Sequence, residues 1–537
     1  LKIQPKYAIA LTASIGLFMA ILDNTIINVA LTPIQTALGA SLSSIQWVIT
    51  GYFLAQAAAI PVAGYFSNRF GSKLVFLVVL SLFTVGSLLC GFAQDEGWLI
   101  FFRVIQGLGG GGLFPVCQAI ALGAFPPQER ANASALISVP ILLAPVFGPT
   151  IGGILTDSFT WSSIFFVNIP VGIAAAFLAW RIFPAGKPSA IDTTARFDYV
   201  GLSLVTIGVL SVIYGFNLVT QSKPGTETVF NPRGNINGWG EPGVWMLIGV
   251  GLLLMVAFAV YELRYSKDPV LDLNLFKNYN FTIASIVIWF NAMVVFGSLI
   301  LLPIFLEQIR QPNLKPTDVG LALMPVGLAS IVTTALAGRV LYSKLGTRLM
   351  AFVGVVLLAV SSFMLTSLTA SSDWVSLLPA FVVRGLGFGL TFVPVQTLAL
   401  QSFTGRTLPK ASSLFNITRQ IFSSIGIAII TTLYVQEFSS RAKPLQDAAL
   451  ARIPAGVTFD PNSPQAKALA AQAREQIAAQ AGVPAMNQVF LYLTIALGVM
   501  LVATLFLPSL SKQNEAVAQA QEAAQASSDR PQMVLSE

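Results

Sequence analysis

The chain has 537 residues, of which 55% are hydrophobic and only 10% charged, with a formal net charge of +7. A soluble domain carries roughly 25% charged residues, so this surface must meet hydrocarbon, which helices can cross because each satisfies its own backbone hydrogen bonds. The basic residues are scattered into short loops, which argues against a nucleic-acid partner, and the absence of histidine removes His metal sites, His proton relays and Ser-His-Asp catalysis.

Apolar runs long enough to span a bilayer, about 20 residues, fall near 8–30, 47–66, 74–93, 98–124, 131–155 and 162–183, then near 198–219 and 243–264. Six more follow near 281–302, 318–340, 349–369, 376–402, 410–435 and 486–508. The first run reaches Asp23-Asn24 without a small-residue cleavage site and is expected to be a retained helix. If the fourteen segments alternate from a cytoplasmic start, the inside segments hold Lys2, Lys6, Arg69, Lys73, Arg339, Lys344 and Arg348 among others. The short outside loops at 31–46, 94–97, 156–161 and 370–375 hold no basic residue. The positive-inside rule then puts both termini in the cytoplasm.

The predicted fold is an all-α integral membrane protein. It divides into a six-helix half over 1–183, a cytoplasmic linker over 184–197, two additional transmembrane helices over 198–264, a second six-helix half over 265–510, and a cytoplasmic tail over 511–537. The second half is expected to include a long extracytoplasmic loop at 436–485. In that loop Ser463-Pro464 resembles a helix start and Gly482 a stop. A weak repeat supports two halves: GLGGGGLFPVCQAIAL from Gly107 aligns with GLGFGLTFVPVQTLAL from Gly385. Paired halves with the substrate path between them are characteristic of secondary transporters.

Gly107, Gly109 and Gly112 fit a dinucleotide-type glycine spacing, but they lie inside an apolar run and not between strand and helix. Close helix packing is the better reading for Gly107, Gly109, Gly385 and Gly387. No P-loop sequence is present, and Cys90 and Cys117 both sit in apolar segments where a disulfide framework is not expected. No catalytic constellation emerges, so the chain is not read as an enzyme.

Asp23 is the only carboxylate well inside a predicted span. Burial there costs at least about 2.5 kcal/mol, which makes it a functional candidate by default. Low polarity favours the neutral acid, so the group could take up and release a proton; alternatively it fixes packing through hydrogen bonds. Arg103 either pairs with Asp23 or binds backbone carbonyls. Arg384 and Arg419 also lie within or near spans. Pro140, Pro145, Gly148, Pro149, Gly152 and Gly153 crowd one segment, suiting a hinge or seal. Asn24, Gln118, Trp289, Phe290, Phe296, Phe388 and Gln396 are candidates to line a substrate cavity.

As a set these motifs resemble the major facilitator superfamily, in particular its fourteen-span drug:proton antiporter group and most closely the EmrB type. The stretch Leu22-Asp23-Asn24-Thr25 to Leu31 is similar to that group's first-helix motif. Arg103 with Gln106-Gly107 resembles the fourth-helix motif, whose arginine is associated with proton coupling. Ala144 to Gly153 resembles the fifth-helix antiporter motif, with Ala144 in place of a usual Gly. Gly64, Arg69, Gly71 and Lys73 belong to a segment like the superfamily's gating loop, which departs from it at Asn68, commonly Asp, and at Ser72, commonly basic. The resemblance implies a multi-pass inner-membrane protein with no cofactor, driven by a proton gradient, that exports amphipathic or cationic drugs by alternating access. It also implies a periplasmic membrane-fusion adaptor and an outer-membrane channel as partners. A lipid or glycolipid transporter on the same fold is the alternative.

Overall fold

The computed structural model describes residues 4–511 apart from 41, 185–197, 222, 224–235, 267–268, 300, 313, 315, 406 and 452–475. The predicted linker, the predicted helix start at Ser463-Pro464 and the tail lie outside the described residues. The described chain is mostly helical, with short turns between the helices: α1 (Pro5–Leu38), α2 (Leu42–Phe70), α3 (Ser72–Gly91), α4 (Glu96–Gly123), α5 (Arg130–Ser158), α6 (Ser163–Phe166), α7 (Asn168–Ile182), α8 (Tyr199–Thr220) and α9 (Pro242–Arg264). After these come α10 (Tyr279–Leu299), α11 (Leu301–Ile304), α12 (Pro316–Leu336), α13 (Tyr342–Met364), α14 (Trp374–Leu400), α15 (Thr407–Ala451) and α16 (Val483–Leu505).

Among the described residues, 13 helices are long and apolar enough to cross a membrane. They coincide with predicted segments. The remaining predicted segment, 131–155, is the 29-residue helix α5. Large apolar side chains are exposed along most of them, including Trp245, Met246, Leu252, Leu253 and Val256 of α9. In water such a surface would drive association; in a bilayer it meets acyl chains.

The helices before residue 184 pack mainly on one another, with α4 against α2 and α3, and α1 against α5. Those after residue 265 do the same, with α14 against α12 and α13, and α10 against α15. The two groups meet where α5 packs on α12 and where α15 packs on α2 and α4. Helices α8 and α9 form a hairpin that touches both groups through α8, against α2 and α15; Tyr214 on α8 lies 5.5 Å from the ring of Trp47 on α2. Glycines of the repeat sit where helix backbones approach closely. A Cβ on Gly107 would fall 2.5 Å from the Tyr52 carbonyl oxygen, and one on Gly387 would fall 2.7 Å from that of Gly354.

The predicted 436–485 loop needs correction. Helix α15 continues to Ala451, and helix resumes before Gly482, which has φ −68° and continues directly into α16. Alanine, leucine and glutamine are strong helix formers, and Ala442, Ile477 and Ala481 bury one another. Near the start of this extension, Tyr492 Oη donates to Glu437 Oε1 at 3.0 Å, and Glu437 pairs with Arg441. The described ends of the segment are thus helical, and Gly482 is a helix-interior position and not a stop.

Candidate functional site

Asp23 lies midway along α1, with its side chain 1% exposed. Its Oδ2 accepts from Arg103 Nη1 of α4 at 2.5 Å. Its Oδ1 accepts from Gln106 Nε2 at 2.8 Å and from Asn168 Nδ2 of α7 at 3.2 Å. Arg103 and Gln106 are three residues apart, so one face of α4 presents both to the acid. The two are also tied to each other, since Arg103 Nη1 donates to Gln106 Oε1 at 2.8 Å. Arg103 Nε donates to the Val48 carbonyl at 3.2 Å, and its guanidinium lies 4.1 Å from the centre of the Tyr52 ring. Asn168 further donates to Ser87 Oγ at 3.0 Å, and Cys90 Sγ approaches Gln106 Oε1 at 3.7 Å.

Of the two readings left open for Arg103, the structure thus contains both: a carboxylate partner and a backbone carbonyl. Sequence reasoning missed Tyr52, Ser87, Cys90 and Asn168, and quoted Gln106 only as part of a motif. The available signal was polar spacing inside apolar runs: Arg103 with Gln106, and Ser87 with Cys90, each three apart.

Helix α5 presses on α1 just beyond the acid. Thr25 Oγ1 donates to the Ala144 carbonyl at 3.2 Å, and a Cβ on Gly148 would collide with the Thr25 side chain, 2.6 Å from its Cβ. A Cβ on Gly152 would come 2.9 Å from Ile26 Cγ1. Only glycine permits this approach. The side chains of Pro145 and Pro149 lie outside the described residues; Gly153 is buried.

One end of the bundle, which carries the segment from Gly64 to Lys73 and the turn before α5, is closed by bonds between the two groups. Ser413 Oγ donates to the Ile60 carbonyl at 2.7 Å, and a Cβ on Gly64 would sit 2.7 Å from that same Oγ. Gln118 Oε1 accepts from Ser412 Oγ at 2.5 Å and from Asn416 Nδ2 at 2.6 Å. Thr397 Oγ1 donates to Ser134 Oγ at 2.9 Å. Arg130 Nη1 donates to the carbonyls of Leu400, Gln401 and Phe403 at 3.1, 2.9 and 2.8 Å. These carbonyls end α14, where unpaired acceptors and the helix dipole favour a cation. Lys73 does the same within one group, donating to the carbonyls of Trp180 and Phe183 at 2.7 Å each. Arg69 Nη1 donates to Tyr65 Oη at 3.2 Å, and Gly71 adopts a positive φ of 88° at the turn between α2 and α3.

The predicted cavity residues do not form one group. Gln118 is spent on the α4–α15 contact. Trp289 stacks on Phe422, with ring centroids 4.7 Å apart and planes 2° from parallel. Phe388 stacks on Phe392 at 5.3 Å. Phe296 lies 5.7 Å from the Arg419 guanidinium. Gln396 is buried with Nε2 unpaired, and Asn24 is half-buried beside Asp23. Phe290 is 40% exposed, since one residue of helix rotation takes it off the face on which Trp289 packs.

Comparison with known proteins agrees with this architecture. The major facilitator superfamily model matches residues 13–427. The multidrug export protein EmrB of Haemophilus influenzae is 32% identical over 79% of this chain and 80% of its own length. The fatty acid resistance protein FarB of Neisseria gonorrhoeae is also 32% identical, with the same shares covered. Among solved structures, the human organic anion transporter MFSD10 superposes with a TM-score of 0.57 over 92% of this chain and 100% of that one. At 13% identity that likeness speaks for the fold alone. A multi-pass bundle in two packed groups, matched over most of its length by a family model and by bacterial exporters, belongs to the major facilitator superfamily and is homologous to its multidrug-efflux transporters.

Proposed function

We propose that this transporter is a proton-driven antiporter that exports amphipathic compounds by alternating access. In this reading it lies in the inner membrane with fourteen spans, two six-helix halves with α8 and α9 between them, and both termini cytoplasmic, as in the EmrB group. The observation that carries the proposal is the buried Asp23–Arg103 pair, with both carboxylate oxygens engaged. An intramembrane acid is costly and marks a proton or ion path. An acid held by donors from α4 and α7 has a structural consequence when it takes a proton. Neutral Asp23 gives up its charge-assisted bond with Arg103, and three helices lose a common anchor.

The bundle is closed at the end expected to face the cytoplasm by Arg130, Gln118, Ser412 and Ser413, the closure an outward-facing or occluded step of such a cycle requires. In the cycle, Asp23 takes a proton from outside, its hold on α4 and α7 weakens, and Arg130 releases the end of α14. Substrate entering from the cytoplasm or inner leaflet then favours proton release to the inside. The names of the relatives, multidrug export and fatty acid resistance, support an amphipathic cargo; a cationic one, an adaptor and an outer-membrane channel enter by resemblance to EmrB.

The test is transport in proteoliposomes of the purified protein, with an imposed pH gradient and a panel of lipophilic anionic and cationic dyes. Dye efflux that follows the size and sign of the gradient supports the proposal. Transport indifferent to the gradient, or movement of a labelled phospholipid in place of dye, would replace it with facilitated diffusion or lipid translocation.

A further inference from the structure

Two further buried acids lie away from Asp23, at the base of the α8–α9 hairpin. Asp198 immediately precedes α8 and Glu262 sits in the last turn of α9; they are 8% and 5% exposed. Their carboxyl groups come within hydrogen-bonding reach of each other and of the Ser266 hydroxyl, which donates to Asp198 Oδ2 at 3.0 Å. Each acid also commits one oxygen to backbone. Asp198 Oδ1 caps α8, accepting from Gly201 N at 2.8 Å. Glu262 Oε1 accepts from Leu271 N at 3.3 Å. The remaining oxygen, Glu262 Oε2, is buried and has no donor.

Among the described residues nothing offsets two negative charges here. Helix α9 supplies the Tyr261 hydroxyl, which reaches Asp198, and Tyr199 of α8 is exposed. The chain entering the second group supplies Asp272, whose Oδ1 accepts from Asn274 N at 3.0 Å. Arg264 and Lys277 are exposed, and no described basic side chain pairs with Asp198 or Glu262. Two ionised carboxylates in contact repel and lose solvation, and one shared proton relieves both penalties. That proton is also the donor that Glu262 Oε2 lacks. A divalent cation suits the place less well: it takes about six oxygens or more, and what is left here is one oxygen from each acid and a hydroxyl.

The pair ties together the start of α8, the end of α9 and, through Ser266 and Leu271, the chain that leads into the second group. Val270 and Leu271 of that chain are buried in the main apolar core. The two acids therefore fasten the hairpin to the packing of the second group.

We propose that Asp198 and Glu262 form a second proton site, separate from Asp23, whose shared proton holds the α8–α9 hairpin to the second group. Loss of the proton as pH rises leaves like charges in contact and frees the joint. That the proton comes from the cytoplasm rests on the proposed orientation; the site itself does not.

The test uses full-length protein in phosphatidylcholine nanodiscs, as wild type, Glu262→Gln and Asp198→Asn. Glutamine at 262 keeps an acceptor for Leu271 N and adds an amide donor toward Asp198. Asparagine at 198 keeps the helix cap. Each variant makes the singly charged state permanent. Two readouts are taken at about pH 6 and about pH 9, both above the ordinary carboxylate range of about 4. One is the infrared carbonyl-stretch band of a protonated carboxyl. The other is amide hydrogen exchange over 270–275, with wild type and variant compared at the same pH so that intrinsic rates cancel.

Wild type should lose a protonated-carboxyl band at the higher pH. Glu262→Gln and Asp198→Asn should lack that change, and Asp23→Asn should keep it. Exchange over 270–275 should be equal in wild type and variants at the lower pH, and about fivefold or more faster in wild type at the higher. The proposal is overturned if the band change survives in either variant, or if wild type and variants exchange alike at the higher pH. It is also overturned if added magnesium or calcium restores wild-type protection there, which would make this a cation site. Failed gradient-driven transport alongside the expected band and exchange changes would count against antiport alone.

Discussion

Replacing Asp23 with Leu, a residue of similar size, removes two oxygens that answer three donors: Arg103 Nη1, Gln106 Nε2 and Asn168 Nδ2. Breaking a buried ion pair from one side costs ~3–5 kcal/mol, chiefly because the surviving charge is stranded. Arg103 keeps the Val48 carbonyl and Gln106 Oε1, and Asn168 keeps Ser87 Oγ, which holds the cost near the lower end, ~3 kcal/mol. Adding Arg103→Met removes the stranded charge. The double variant should then recover most of the loss, leaving the unpaired Gln106 amide at ~1–3 kcal/mol. A double-mutant cycle measured by reversible unfolding in detergent should give a coupling energy of ~2 kcal/mol or more. Additivity within ~0.5 kcal/mol would show that the pair is not what holds α1 to α4, and would refute the reasoning.

Gly148→Ala places a methyl group into Thr25, overpacking the α1–α5 contact by ~1–3 kcal/mol. Export should fall in a vesicle assay, and Thr25→Gly in the same chain should restore part of it. Arg130→Ala leaves three carbonyls at the end of α14 without their cation, so the closed end should open more often. A cysteine at Ser413 should then react several-fold faster with a membrane-impermeant maleimide applied from the cytoplasmic side; an unchanged rate would remove Arg130 from the gate. Truncating α15 and its partner segment to a short linker across 440–480 should lower the melting temperature, because Ala442, Ile477 and Ala481 lose their mutual burial; a purely solvated loop would leave it unchanged.

The spans were legible because hydrocarbon imposes one rule over about 20 residues at a time. The same rule singled out Asp23 and Arg103, since a charge in an apolar run stands out against its neighbours. Neutral polar partners do not stand out: Asn168, Ser87 and Tyr52 are ordinary residues in membrane helices, and only the packing of α2, α3 and α7 around α1 brings them to the acid. The extended end of α15 was misread for the opposite reason. Its alanines and glutamines carry too little hydrophobicity to signal a span, yet they favour helix strongly, and Gly482 suits a helix interior when its φ is negative. The closed end was legible only as a loop with Asn68 where a carboxylate is common. Closure there is made by Arg130, Gln118, Ser412 and Ser413, from segments far apart in the sequence. Arg384 and Arg419 were visible as charges in spans, but their partners, Ser298 Oγ and Asn416 Oδ1, are set by the fold.

The most direct test of the central claim compares wild type with Asp23→Asn in proteoliposomes, measuring both gradient-driven efflux of a transported dye and exchange of the dye between equal concentrations on the two sides. Asparagine keeps a carbonyl acceptor for Arg103 or Gln106 and cannot exchange a proton. The account predicts that the variant loses gradient-driven efflux and retains exchange. Efflux that still follows the pH gradient in Asp23→Asn, in vesicles shown to hold folded protein, would contradict it.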